Sequence, residues 1–114
     1  MQERRRQRRR RMSFYFRVLD THTRELFGHL TDVSMLGFCL DCMQTVPPNV
    51  KYALSIETTA EVSDTEFIDL QVQSRWARKD SITPNVYNVG FTILEVNPHD
   101  AEVLQRIVYH YGAS

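Results

Sequence analysis

The sequence predicts a mostly β protein: a six-stranded antiparallel β-barrel with one C-terminal α-helix packed on it. Three observations carry that expectation. Short segments rich in aromatic and β-branched residues alternate apolar with polar side chains from residue 13 to residue 96. Turn-forming clusters separate these segments, and the tandem Pro47-Pro48 excludes both ladder bonding and helix. Beyond residue 96 the periodicity changes to that of a single amphipathic helix.

Phe14, Phe16 and Val18 alternate with Tyr15 and Arg17, as in a half-buried first strand. A polar turn at Thr21-His22-Thr23 leads to a second strand over residues 24–30. The third covers residues 37–43, with Phe38, Leu40 and Cys42 on one face, and residues 45–49 form a loop. Tyr52, Leu54 and Ile56 alternate through a fourth strand over residues 51–58. After a turn at residues 63–65, a long fifth strand runs over residues 67–77, and residues 81–85 turn the chain again. The sixth, over residues 86–96, sets Val89, Phe91, Ile93 and finally Glu95 in one row. Asn97 is then a helix N-cap, Pro98 the first helical residue and Asp100 a first-turn acid. Leu104, Ile107, Val108 and Tyr111 follow at helical spacing, and Gly112 ends a helix over about residues 97–111.

The chain of 114 residues is long enough for one domain with one modest core, expected over residues 13–114. Residues 1–12, nearly all Arg and Gln, have no apolar face to bury and are expected to form a flexible arm. The composition is 42% apolar and 25% charged, ordinary for a soluble globular protein. No stretch reaches the roughly 18 apolar residues of a membrane-spanning helix. Arg17 and Asp20 interrupt the first apolar stretch, so nothing resembles a signal peptide and a cytoplasmic location is expected.

A formal net charge of zero conceals an asymmetry. Residues 1–11 hold seven arginines and one glutamate, a charge of +6, while the other 103 residues hold seven Lys/Arg and thirteen Asp/Glu, a charge of −6. A basic arm on an acidic body attracts phosphates at one place only.

Cys39 and Cys42 form a C-x-x-C, but the odd spacing within a strand sends the two side chains to opposite faces. That argues for ordinary strand cysteines in a reducing compartment. His22, His29, His99 and His110 show no metal-ligand spacing, so neither a metal nor a cofactor is expected. No Ser/His/Asp or Cys/His order stands out, and no glycine-rich loop precedes the helix. Catalysis is not expected.

Two stretches carry binding chemistry. The first is Arg4-Arg5-Arg6-Gln7-Arg8-Arg9-Arg10-Arg11. Guanidinium groups bind phosphates through paired charged hydrogen bonds, present a fork to the O6/N7 edge of guanine, and stack on bases. Such a run also serves simply as a solubilising tail that binds nucleic acid without specificity. The second is the turn Thr31-Asp32-Val33-Ser34-Met35-Leu36-Gly37. Asp32 and Ser34 are two apart and point the same way when extended. A carboxylate there can accept from guanine N1–H and N2–H2, and Gly37 allows a close backbone approach or a positive φ. The plainer alternative is an Asx or Ser turn that caps its own backbone.

Together the two stretches resemble the PilZ domain family, recognised by R-x-x-x-R before the first strand and D/N-x-S-x-x-G after the second. Asp32-Val33-Ser34-Met35-Leu36-Gly37 fits the second element, and Glu3-Arg4-Arg5-Arg6-Gln7-Arg8-Arg9 matches the family's E-R-R-R-x-x-R form of the first. The arginine pair is therefore placed at Arg5 and Arg9, with Arg4 as a helper; Arg6 and Arg10 form the competing register, and Arg8 lies between. Gln73-Ser74-Arg75-Trp76-Ala77-Arg78 and Asn88-Val89-Gly90-Phe91-Thr92-Ile93 resemble the family's fifth and sixth strands. Arg75 and Trp76 are candidates to line the ligand site, although a lone strand Trp also serves as packing. Unlike the family pattern, the run continues with Arg10 and Arg11.

The resemblance implies a receptor for bis-(3′-5′)-cyclic diguanylate (cyclic-di-GMP), gripped by Arg4, Arg5, Arg9, Asp32, Ser34 and Gly37. It implies an arm that orders over the barrel when ligand binds, and an effector protein, in motility, exopolysaccharide or other surface machinery, that reads the change. Two alternatives remain at this point. One is an arginine-rich nucleic-acid-binding protein with the barrel as carrier; the other is a PilZ-like protein-interaction domain that needs no ligand. The paired motifs in their strand context favour the receptor over both.

Overall fold

The computed structural model describes residues 16–112. Six strands, β1 (Arg17–Asp20), β2 (Leu26–Val33), β3 (Gly37–Cys42), β4 (Lys51–Glu57), β5 (Phe67–Lys79) and β6 (Tyr87–Glu95), precede one helix, α1 (Pro98–Tyr111). Every ladder is antiparallel, and the order β1-β2-β3-β6-β5-β4 closes on itself through β1 and β4. The barrel with one C-terminal helix is therefore the observed architecture. Closure gives each strand a partner on both sides and leaves no edge for another chain to extend.

The inward rows follow the alternation in the sequence. Phe16 and Val18, Phe38, Leu40 and Cys42, Leu54 and Ile56, and Ile68, Leu70 and Val72 are all buried in one continuous core. Phe14, Tyr15 and the arm expected over residues 1–12 lie outside the described residues. Three boundaries differ from expectation, each for a physical reason. Arg24 has a positive φ of 65° and belongs to the turn, so β2 starts at Leu26. β2 then continues past Leu30 to Val33, which shortens the expected seven-residue turn to a tight one at residues 34–37. In β6 the register slips at Leu94, since Gln71 faces Glu95 and Val72 faces Ile93. That extra residue turns Glu95 outward and exposes it, so it does not share the row of Val89 and Phe91.

The helix is fastened at both ends. Asn97 caps it by accepting from the Asp100 N–H at 2.8 Å, and the Asp100 carboxylate accepts from Asn97 Nδ2 at 3.1 Å and from the Asp69 N–H of β5 at 3.0 Å. Val103, Leu104 and Ile107 are buried against the barrel, and the Phe16 and Tyr111 rings meet edge-on at 5.1 Å. Gly112 ends the helix without entering the left-handed region: its φ is −76°, and its N–H donates to the Val108 carbonyl at 2.9 Å. A glycine fits there because a Cβ would lie 2.9 Å from the Val33 carbonyl oxygen. Close packing on β2 and on the last helical turn, whose Val108 carbonyl oxygen would lie 2.7 Å from that Cβ, selects the residue, not backbone conformation.

Cys39 is half-buried and Cys42 buried, on opposite faces of β3 as their spacing requires. Burial, with the Asp41 charge second, pushes the Cys42 thiol up to about 12 from an ordinary 9.0. An acid whose pKa is raised by folding contributes stability that is intact below its unfolded pKa and lost as pH climbs toward the folded one. The unfolding free energy, followed by urea titration, is therefore expected to fall between about pH 9 and 12, and Cys42→Ala should flatten that fall. A slope unchanged in the variant would show that other groups control the alkaline transition.

Candidate functional site

Two β-bulges decide which side chains reach the outer surface. Between β2 and β3, Leu30 faces Leu40 and Asp32 faces Cys39, which leaves Thr31 as an extra residue. The insertion shifts the alternation by one, so Leu30 and Val33 both point into the core while Thr31 and Asp32 both face out. Between β5 and β6, Ser74 faces Phe91 and Trp76 faces Gly90, with Arg75 extra. Ser74 is buried, and Arg75 and Trp76 are both exposed.

The registers then align Asp32, Cys39, Gly90 and Trp76 in one row across β2, β3, β6 and β5. Three strand spacings make this row roughly 14 Å wide. A cleft of about 230 Å³ opens along it, with Asp32, Ser34 and Gly37 toward one side and Arg75, Trp76 and Thr92 toward the other. Phe38 and Phe91, stacked at 5.4 Å and buried, lie beneath.

Each lining residue is held for an identifiable reason. Ser34 Oγ accepts from the N–H groups of Leu36 and Gly37 at 3.2 and 3.3 Å, and the Ser34 N–H donates to the Gly37 carbonyl at 2.8 Å. The serine thus caps its own turn, and its first effect is to fix the loop beside Asp32. The turn is tied to β6 because the Ile93 N–H donates to the Leu36 carbonyl at 2.9 Å. Gly37 faces Thr92, and a Cβ there would lie 2.3 Å from the Phe91 carbonyl oxygen, so close approach is what selects glycine. Gly90 leaves room for the Trp76 indole: a Cβ would lie 2.4 Å from its Cε2 and Nε1. The indole covers Gly90 yet remains 39% exposed, so it both packs and presents surface to the cleft. The Arg78 guanidinium lies 5.0 Å from its ring centroid, within cation–π range. Arg75 Nε donates to Thr92 Oγ1 at 2.9 Å, and its Nη groups bond no described residue.

Chemically the cleft sets the Asp32 carboxylate at one end, the Arg75 guanidinium at the other and an aromatic face beside it. That suits a flat heteroaromatic ring carrying N–H donors, joined to an anion. Asp32, Ser34, Gly37, Arg75 and Trp76, singled out in the sequence, are all brought together here. Arg4, Arg5, Arg6, Arg8, Arg9 and Arg10 lie outside the described residues. Cys39, Gly90, Thr92 and Arg78 were not identified from the sequence as site residues. A glycine inside the sixth strand did signal close approach, and Arg78 sits on the same face two residues after Trp76. Nothing in the sequence marks Cys39 or Thr92, whose place depends on β3 pairing with β6.

Comparison with protein families matches the PilZ domain over residues 3–110. Among solved structures the chain is similar to the inhibitor of motility (MotI/DgrA) of Bacillus subtilis, with a TM-score of 0.68 and 16% sequence identity. The match covers 94% of this chain and 51% of that one, so this chain spans about half its length. No curated protein matches the sequence.

Trp76 is the sole tryptophan, so its fluorescence reports on the cleft alone. Gly90→Ala should displace the indole, shifting the emission maximum and raising acrylamide quenching while far-UV circular dichroism is retained. Identical emission and quenching in the two proteins would contradict the packing described for Gly90.

Proposed function

Because the chain belongs to the PilZ domain family, we propose that this cleft receives cyclic-di-GMP and that the N-terminal arginines close over the bound ligand. The observation that carries the reading is the single cleft in which Asp32, Arg75 and the exposed face of Trp76 converge. The Asp32 carboxylate would accept from guanine N1–H and N2–H2, and the indole would stack on a base. Arg75 would donate to phosphate or to the guanine O6/N7 edge.

The arginines are within reach. The Phe16 carbonyl accepts from the Leu30 N–H at 2.8 Å, so the chain meets the barrel beside the strand that carries Asp32. Arg9 lies seven positions before Phe16, and an extended chain of seven steps spans up to about 23 Å. That exceeds the width of the cleft. In the proposed mechanism the arm orders only when ligand phosphates offset its charge, and the ordered arm changes the surface that an effector protein reads. The chain acts as a receptor and adaptor and not as a catalyst. Motility machinery is one candidate effector, in keeping with the name of the fold neighbour; exopolysaccharide and other surface machinery are others.

Calorimetry tests the proposal. Cyclic-di-GMP should bind saturably, and GTP and cyclic GMP should not. Asp32→Ala and Arg9→Ala should each weaken binding by roughly 10- to 100-fold, as expected for a lost hydrogen bond to a charged group. Wild-type affinity in both variants would refute the site. The seven arginines of residues 1–11 favour a second reading, nonspecific nucleic-acid binding. In that case a gel shift would show a steep salt dependence, be lost on arm deletion, and ignore Asp32→Ala.

A further inference from the structure

A second and larger cavity, about 580 Å³, lies at the other end of β3 and β6. Gly37 pairs with Thr92 at the cleft end of this ladder, and Cys42 pairs with Tyr87 at the far end. Five residues along β3 place the two openings about 17 Å apart. The far groove is edged by Leu26, Met43 and Ile82, which are 49%, 74% and 88% exposed, with Phe27 and Val86 also lining it. Apolar surface of this kind, gathered at a lip, is what a chain segment lying across the opening would cover.

Two carboxylates, Asp41 and Asp80, line the groove. The amide of Asn88 donates from Nδ2 to Asp41 Oδ1 at 2.8 Å and to Asp80 Oδ1 at 3.2 Å, which holds the two carboxylates side by side. The N–H groups of Thr83 and Ile82 donate to Asp80 Oδ2 at 2.8 and 3.1 Å and hold its carboxyl below the usual range. No lysine or arginine is among the described residues that line the groove, and His29 is its one imidazole. Two adjacent carboxylates beside an apolar lip call for a cation joined to an apolar group.

We infer that this groove docks a basic amphipathic segment of a partner protein, seating an apolar side chain among Leu26, Met43 and Ile82 and a lysine or arginine against Asp41 and Asp80. The chain's own arginine run is a poorer occupant, because residues 4–11 contain no apolar side chain. The inference does not depend on the ligand of the cleft, and it is tested on the full chain without that ligand.

The probe is a short synthetic peptide of leucine and lysine at amphipathic helical spacing. Two controls replace its lysines by glutamate or its leucines by serine. Titrated into the isotope-labelled protein, the leucine–lysine peptide should shift the amides of Leu26, His29, Asp41, Ile82 and Thr83 saturably, and leave Asp32, Gly37 and Gly90 in place. Neither control should do so. Ile82→Ser, and the pair Asp41→Asn with Asp80→Asn, should each weaken binding about tenfold, as for an interface anchor. The Asn substitutions keep side-chain oxygens for the Asp80 turn, and unshifted resonances elsewhere would show that the variants fold. The inference is overturned if the groove amides fail to shift, if the shifts centre on the cleft, or if either control binds as well. It also fails if Ile82→Ser has no effect, or if the groove resonances move with protein concentration alone, which would assign the groove to a second copy.

Discussion

A closed ring of strands cannot slide. β1 is bonded to both β2 and β4, so moving any strand by one residue would invert its faces and force every other ladder to follow. The ring therefore changes which side chains face outward by local insertion of an extra residue. Among the described residues the ladders contain four such shifts, near Leu19, Thr31, Val72 and Arg75. Two of them serve the cleft, one putting Asp32 outside and the other Arg75 and Trp76, while Leu30, Val33 and Ser74 remain inside. The cleft is thus compatible with closure: the core keeps its register, and two of the four irregularities set the cleft residues on the outer surface.

Buried polar groups fasten the strands to one another, and one of them adjoins a bulge. Ser74, fully buried one residue before the β5 bulge, donates from Oγ to the Pro47 carbonyl at 2.6 Å and accepts from the Val50 N–H at 3.0 Å. It anchors the proline loop to β5 and resists any slip of that strand. Ser55 acts similarly further along, bonded to Thr21 Oγ1 at 2.8 Å and to Asp69 Oδ1 at 2.6 Å. Asp69 in turn gives its N–H to Asp100 at the start of α1. One chain of hydrogen bonds therefore links the β1–β2 turn, two strands and the helix cap. Ser55 and Ser74 are fully buried, so leaving either hydroxyl without a partner costs on the order of 1–3 kcal/mol.

This division explains what the sequence could reveal. Regular alternation identified the inward faces of β1, β3 and β4, and helical spacing identified Leu104 and Ile107, because burial imposes those periods. It failed where a bulge breaks the period, at the end of β2 and at Glu95, because an inserted residue reads as the end of a strand. Asp32, Ser34, Gly37, Arg75 and Trp76 were legible through the motif and strand resemblance, not through periodicity. Cys39 and Thr92 were not legible, since they join the cleft only through a pairing of strands about fifty residues apart in sequence. Gly90 was visible as a strand glycine, but only the packed indole shows what its missing side chain makes room for.

Charge distribution bears on how an arm and a cleft can act as one site. Under the proposed function a segment of +6 is attracted to a body of −6 in general, yet the cleft is lined at one end by Arg75, with Arg78 over the Trp76 ring beside it. Arginines brought to that end meet like charge, so without an anion between them the arm gains little there and loses conformational freedom. A phosphate placed between the two sets of guanidinium groups reverses the sign of the interaction for both. Under the proposed function, arm docking and ligand binding are then coupled, and the coupling is reciprocal: whatever holds the arm against the cleft tightens the ligand by the same factor. On that proposal Asp32 adds discrimination, because its side chain accepts hydrogen bonds and a bare phosphate has no N–H to give, whereas a ligand that presents N–H donors opposite its phosphate suits both ends.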